Sequence, residues 1–141
     1  MSIATELANA VAFELGQNKY DVAYQARPEY EPSELEGMKI VVVPKSIAVD
    51  RTSRASVKYT VSVDIGVMQR IGPDMTPDDA VDVYGKIVDD ITELLVDSEL
   101  SMFPVATFVG IANDPLYAMD YLVSSRIFMS VLTATYSVLS Y

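Results

Sequence analysis

The order of elements in this 141-residue chain predicts an α+β fold. It is expected to be an antiparallel β-sheet with a long projecting β-hairpin and two α-helices packed on one face. Three observations lead there. Two segments repeat apolar residues at helical spacing, residues 39–69 read as two long strands joined by a polar turn, and two further strand-like runs follow the second helix. By length the chain is expected to form a single domain, 1–141, with the hairpin 39–69 partly projecting from it.

Ile3, Leu7, Val11 and Leu15 recur every four residues, which predicts a helix from near Ser2 to Gly16. Gly16 stands where a left-handed C-terminal cap is wanted. Residues 20–30 alternate weakly and predict a strand, with Pro28 and Pro32 placing it at a sheet edge or in an arm. An acidic connection, 29–38, follows.

The hairpin comes next. From Ala55 onward Val57, Tyr59, Val61, Val63, Ile65 and Val67 take one face, and Lys58, Thr60, Ser62, Asp64 and Gly66 the other. A strand of ~13 residues at about 3.3 Å each spans roughly 43 Å. A compact domain of this size is only about 37 Å across. The tip, 50–54, is therefore expected to leave the domain and meet something outside the monomer. Pro44 cannot donate to a ladder and predicts an edge position or a bulge.

Residues 71–74 (Ile-Gly-Pro-Asp) form a turn. Thr76 then has the marks of an N-cap, with Pro77 first in the helix and Asp78 and Asp79 where the dipole favours anions. This second helix is predicted to run to about Ser98. Its apolar stripe is Ala80, Tyr84, Ile87, Ile91, Leu94 and Leu95, widened by Val83 and Val88. A strand follows over 105–112, with Val105, Thr107, Val109 and Ile111 opposite Ala106, Phe108 and Gly110, and Asn113-Asp114-Pro115 breaks it. Residues 126–141 close the chain as a long strand. Ile127, Met129 and Val131 lie on one side and Phe128, Leu132, Tyr136 and Val138 on the other, so part of it is expected to be covered on both faces.

Composition narrows the function. Half the residues are hydrophobic, yet no apolar run approaches the eighteen or more that a membrane span needs, and no basic segment precedes the first apolar positions. No membrane partner and no export signal are expected. Cysteine, histidine and tryptophan are absent, which removes the commonest general base, transition-metal ligand and reactive nucleophile. The formal charge of −10 argues against adhesion to nucleic-acid phosphates.

What chemistry remains would rest on carboxylates. Asp78, Asp79, Asp82, Asp89, Asp90, Glu93 and Asp97 crowd the second helix with Lys86 the only base between them. A magnesium-dependent enzyme could pair Asp82 with Asp89, or Asp89 with Glu93, but no calcium-type loop is present. The plainer account is a solvated helix face. Ser53 and Ser62 have no visible base, and the corner Asn113-Asp114-Pro115-Leu116-Tyr117 has the composition of a turn. No catalytic residue, cofactor or metal is assigned.

Charge distribution says more. Between 39 and 58 the bases Lys39, Lys45, Arg51, Arg54 and Lys58 face a single acid, Asp50. Between 74 and 99 nine acids face one lysine. In a head-to-tail ring, Lys45, Arg51, Arg54 and Lys58 of one subunit can meet Asp82, Asp89, Asp90 and Glu93 of the next. The alternatives are two solvated patches, or a monomeric or dimeric binding module whose hairpin adds a strand to a partner sheet.

Several stretches carry a resemblance to a known family. They are Leu35-Glu36-Gly37-Met38-Lys39-Ile40-Val41-Val42-Val43-Pro44-Lys45-Ser46, Val63-Asp64-Ile65-Gly66-Val67, Asn113-Asp114-Pro115-Leu116-Tyr117 and Arg126-Ile127-Phe128-Met129-Ser130-Val131-Leu132-Thr133. With the second helix, they resemble the tail terminators and related minor virion proteins of tailed phages and prophages. The resemblance implies a non-enzymatic virion protein forming a hexameric ring on the tail tube, which ends tail polymerisation and joins tail to head. Its partners would be further copies of itself, the tail tube, a sheath protein in a contractile tail, and a head-completion or connector protein. It would be assembled in the host cytoplasm and reside in the virion neck. Genomic DNA would pass the lumen without specific binding, and acids such as Asp89, Asp90 and Glu93 would either line that wall or meet the neighbouring hairpin. Another neck or tail-associated component is the alternative within the same class.

Overall fold

The computed structural model describes residues 2–18, 20, 22–24, 38–113 and 116–140. In chain order they form α1 (Ile3–Gln17), β1 (Val22–Tyr24), β2 (Lys39–Arg51), β3 (Val57–Arg70), α2 (Pro77–Asp97), β4 (Ala106–Asn113), α3 (Met119–Ser124) and β5 (Ile127–Ser140). One sheet of five strands, ordered β1-β2-β3-β5-β4, holds them together. Every pair is antiparallel except β1 with β2, which is parallel. The fold is α+β.

The first helix is capped at its start by Ser2, whose hydroxyl accepts from the Thr5 N–H at 3.2 Å. It runs through Gly16 rather than stopping there. At the other end Asn18, with φ −102°, satisfies the last carbonyls: its side-chain amide donates to Glu14 O at 2.9 Å and its backbone N–H to Leu15 O at 3.1 Å. No left-handed residue is required. The strand expected over 20–30 exists as Val22–Tyr24; Tyr20 lies outside it, and residues 21 and 25–30 lie outside the described residues. Its parallel pairing also departs from an all-antiparallel sheet. A parallel pair needs a crossover of about a dozen residues or more, and the chain between Tyr24 and Lys39 is long enough to supply one.

Strands β2 and β3 pair from Lys39↔Met68 to Arg51↔Val57, with the register shifting between Pro44 and Ser46. The alternation in β3 is realised: Val61, Val63, Ile65 and Val67 are fully buried on the face covered by helices. The expected free ribbon is not what forms. Strand β5 backs β3 over its whole length, from Val57↔Ser140 to Arg70↔Ile127. What extends past the helices is therefore one end of a broad sheet, where Lys45 to Arg51 of β2 are all exposed.

Helices α1 and α2 share one core with that sheet face. Leu7, Val11 and Leu15 of α1, Val88, Ile91 and Leu95 of α2, and Ile40, Val42, Phe128, Leu132 and Tyr136 of the strands belong to the same buried cluster. Each such side chain contributes about 1.5–3 kcal/mol by leaving water. The other face holds a smaller buried cluster, Val41, Val43, Met68, Ile127 and Met129. Strand β5 is thus covered on both sides near its start, as its sequence predicts.

Thr76 does cap α2, accepting from the Asp79 N–H at 3.2 Å, with Pro77 at the start. Val83, expected to widen the apolar stripe, is exposed instead. In β4 the register shifts between Phe108 and Gly110. This bulge carries Ile111 to the core side beside Ala106 and Phe108 and leaves Val109 in solvent, so the simple alternation expected there is broken. A third helix, α3, was not expected. It has six residues and buries only Leu122, too few for a periodic signal.

Among the described residues one is strained. Arg126, at the entrance to β5, has φ 52°, a region unfavourable to side chains other than glycine. Its guanidinium donates to Gly72 O at 2.8 Å and Met75 O at 2.6 Å, and its own carbonyl accepts from the Ile71 N–H at 2.8 Å. These bonds tie the start of β5 to the loop between β3 and α2.

Candidate interaction surface

The hairpin tip is organised by hydroxyls. The Thr52 and Ser53 N–H groups both donate to Ser56 O, at 3.1 and 3.3 Å. The Ser56 hydroxyl, largely buried, lies 2.6 Å from that of Thr52 and 2.8 Å from that of Ser53. Loop polarity is consumed internally, which leaves the charged side chains to point outward. Among the described residues Arg51, Arg54 and Lys58 make no ion pair.

The four bases expected to act together do not share one surface. By register Arg51 lies on the helix-covered face, opposite Val57, while Lys58 lies on the other, opposite Leu139. Lys45, the extra residue of the β2 bulge, also turns to that second face. There its ammonium sits 3.7 Å from Asp64 Oδ1 and 3.5 Å from Thr133 Oγ1. Thr133 itself donates to Asp64 at 2.7 Å, and Ser62 meets Thr135 at 3.0 Å. The Lys45–Asp64 pair is solvent-exposed and worth under about 1 kcal/mol. It nonetheless turns Lys45 toward its own chain.

The acids of α2 divide by flank. Asp82 and Asp89, with Lys86 between, line a cleft of about 270 Å³ over Asn113, Tyr117 and Phe128. Asp97 and Glu99 line another of about 310 Å³ over Ala106, Thr107, Phe108 and Tyr136. Both clefts follow the side of α2 above β4. Asp90 faces a different way, toward Tyr20, whose phenol pKa is raised by burial first and by the Asp90 charge second. Glu93 is exposed between them.

Height along the strands then separates these acids. Phe128 pairs with Gln69, whereas Arg51 pairs with Val57, an offset of about 40 Å at 3.3 Å per residue. Asp82 and Asp89 sit at the far end from the tip arginines. Asp97 and Glu99 sit beside Ala106, which is level with Val138, Tyr59 and Val49, near the tip. The expected interface omitted both. They were recoverable from lengths alone, since a helix of 21 residues starting beyond β3 travels back about 31 Å toward the hairpin turn.

Catalytic groupings are sparse. Among the described residues no cluster of three or more Asp or Glu side chains is placed to hold a metal ion. Ser53 and Ser62 bond to other hydroxyls. Asn113 closes the end of β4, donating to Ser130 Oγ and Val131 O, each at 2.8 Å. No described helix is long and apolar enough to cross a membrane.

These features define an α+β protein whose distinctive chemistry lies on its surfaces: arginines without an ion pair among the described residues at one sheet end, and an acidic helix with Lys86 as its one base. No protein-family model matches the chain, and no curated protein matches it.

Proposed function

We propose that this chain is a virion structural protein, a tail terminator whose subunits form a hexameric ring at the top of the tail tube, end its polymerisation and join tail to head. The observation that carries this reading is the separation of charge. Arg51 and Arg54 stand unpaired among the described residues at the exposed sheet end, while α2 exposes acid along its outer side with only Lys86 to offset it. A surface so divided complements a second copy of itself in head-to-tail fashion, and such contacts close into rings. The acidic balance supports the same role, because a wall that neutralises few phosphates lets DNA pass without capture.

Reversing the tip charge tests it. In the double variant Arg51→Glu/Arg54→Glu, native mass spectrometry is expected to show loss of the ring in favour of monomer, with an unchanged far-ultraviolet circular dichroism spectrum. A variant that keeps the wild-type mass distribution would show that the tip takes no part in assembly.

A further inference from the structure

We infer that the ring is held by strand addition: residues 46–49 of β2 in one subunit pair antiparallel with residues 106–110 of β4 in the next, extending the sheet from copy to copy. This rests on the ring reading above and names the surfaces that join.

Among the described residues both edges are open. Strand β1 covers β2 only at Ile40–Val42, and among the described residues nothing pairs with the outer side of β2 beyond that point or with the outer side of β4. Exposed edges are normally blunted by charge or proline. Strand β4 reads Ala-Thr-Phe-Val-Gly-Ile-Ala-Asn and contains neither; its bulge at Val109 is the only such device. On β2, Pro44 and Lys45 lie before the residues that would pair, and the charges Asp50 and Arg51 lie beyond them at the tip.

The two edges also stand at the same height. Following the pairings across the sheet, Val49 is level with Tyr59, Val138 and Ala106, and Ile47 with Val61, Tyr136 and Phe108. A closed ring relates its subunits by rotation with no translation along the axis. If the strands run along that axis, the edges that meet must share a height, and these do. Direction agrees as well: β4 runs antiparallel to β2, so a β2 brought alongside by rotation pairs antiparallel.

Side chains fit the same arrangement. Ile47 and Val49 point to the helix-covered face but lie beyond the helices of their own chain, 46% and 57% exposed. On the neighbour's β4 edge they would come under the flank of its α2. Arg51, two residues further, then reaches the level of Asp97 and Glu99. Sheet twist of about 20–25° per strand opposes closure, and each edge carries a bulge where bending concentrates.

Two single variants and their mixture decide the matter. Val49→Asp puts a carboxylate against the neighbour's acids. Val109→Lys, at a side chain 58% exposed, puts a base near the neighbour's Lys45; Thr107→Lys is a second probe of the same edge. Circular dichroism is expected to match the wild type throughout, since all three positions are exposed. By native mass spectrometry each variant alone is expected to be monomeric. An equal mixture of Val49→Asp and Val109→Lys retains one intact β2 edge and one intact β4 edge, and is expected to give a one-to-one dimer and no ring. Rings surviving in either variant overturn edge pairing while the ring reading stands. A Val49→Asp protein that still dimerises indicates β4–β4 pairing and overturns it too. A wild type that stays monomeric at its solubility limit overturns both readings.

Discussion

Replacing Tyr136 by phenylalanine should stabilise this protein. The ring is 1% exposed and packs edge-on against Phe108, with centroids 5.6 Å apart and planes at 80°. Its hydroxyl is buried and has no hydrogen-bond partner among the described residues. Leaving such a group unsatisfied costs about 1–3 kcal/mol, and phenylalanine keeps the ring while removing the group. The expected gain at pH 7 is about 1 kcal/mol, a midpoint shift of about 0.5 M urea for a slope near 2 kcal/mol/M. Burial, with the Glu14 charge second, pushes the phenol up to about 12. Because the folded state holds this proton more tightly than the unfolded state, the wild type keeps the associated stability below pH 10 and loses it between 10 and 12. Phenylalanine does not titrate, so the advantage of the variant should widen by about 1.4 kcal/mol at pH 11. Urea unfolding of both proteins at one fixed concentration, at pH 7 and pH 11, reads this directly; the concentration must match because assembly adds to stability. A variant less stable by about 1 kcal/mol at pH 7 would mean that the hydroxyl has a partner after all. A gap identical at the two pH values would refute the raised pKa.

Two further substitutions probe local devices by the same unfolding measurement. Arg126→Ala forfeits two bonds to carbonyls yet keeps the left-handed backbone, and should cost about 2–3 kcal/mol. Arg126→Gly loses the same bonds but relieves the strain, so it should retain about 1 kcal/mol more than the alanine variant; the reverse order would refute a strained Arg126. Thr76→Ala removes the cap of α2 and should cost about 1 kcal/mol, whereas Thr76→Ser should change stability by only a few tenths.

Local physics made the strands and caps legible. The buried face of β3 followed from strict alternation, the cap at Thr76 from its flanking Pro77 and acids, and the double burial of β5 from apolar residues on both sides of Ile127 and Phe128. The bulge in β4 was invisible because Val109 and Ile111 are both apolar, so a one-residue slip leaves the pattern intact. Gly16 misled because Asn18, two residues on, caps α1 without left-handed geometry. The proposed interface was legible only in part. Charge along the chain separates bases from acids, but which ones share a face and a height depends on strand order and register. Lys45 is held against its own chain by Asp64, and of the acids of α2 it is Asp97, not Asp82 or Asp89, that lies level with the tip end of the sheet.

The acidic helix also carries an internal tension that bears on assembly. Asp78 with Asp82, Asp89 with Glu93, and Glu93 with Asp97 are like-charged neighbours four residues apart, each destabilising by about 0.2–0.5 kcal/mol. Lys86 offsets only its own neighbours, and α2 has no base in its last turn, where the helix dipole would favour one. An arginine brought to Asp97 and Glu99 from a neighbouring chain would relieve repulsion and complement the dipole together. Placed in solvent, the same arginine in an isolated subunit does neither. The charge at this helix end therefore costs the lone chain stability that the proposed contact restores, which gives the sequence a reason to keep bases out of the last turn of α2 and to place them on the hairpin instead.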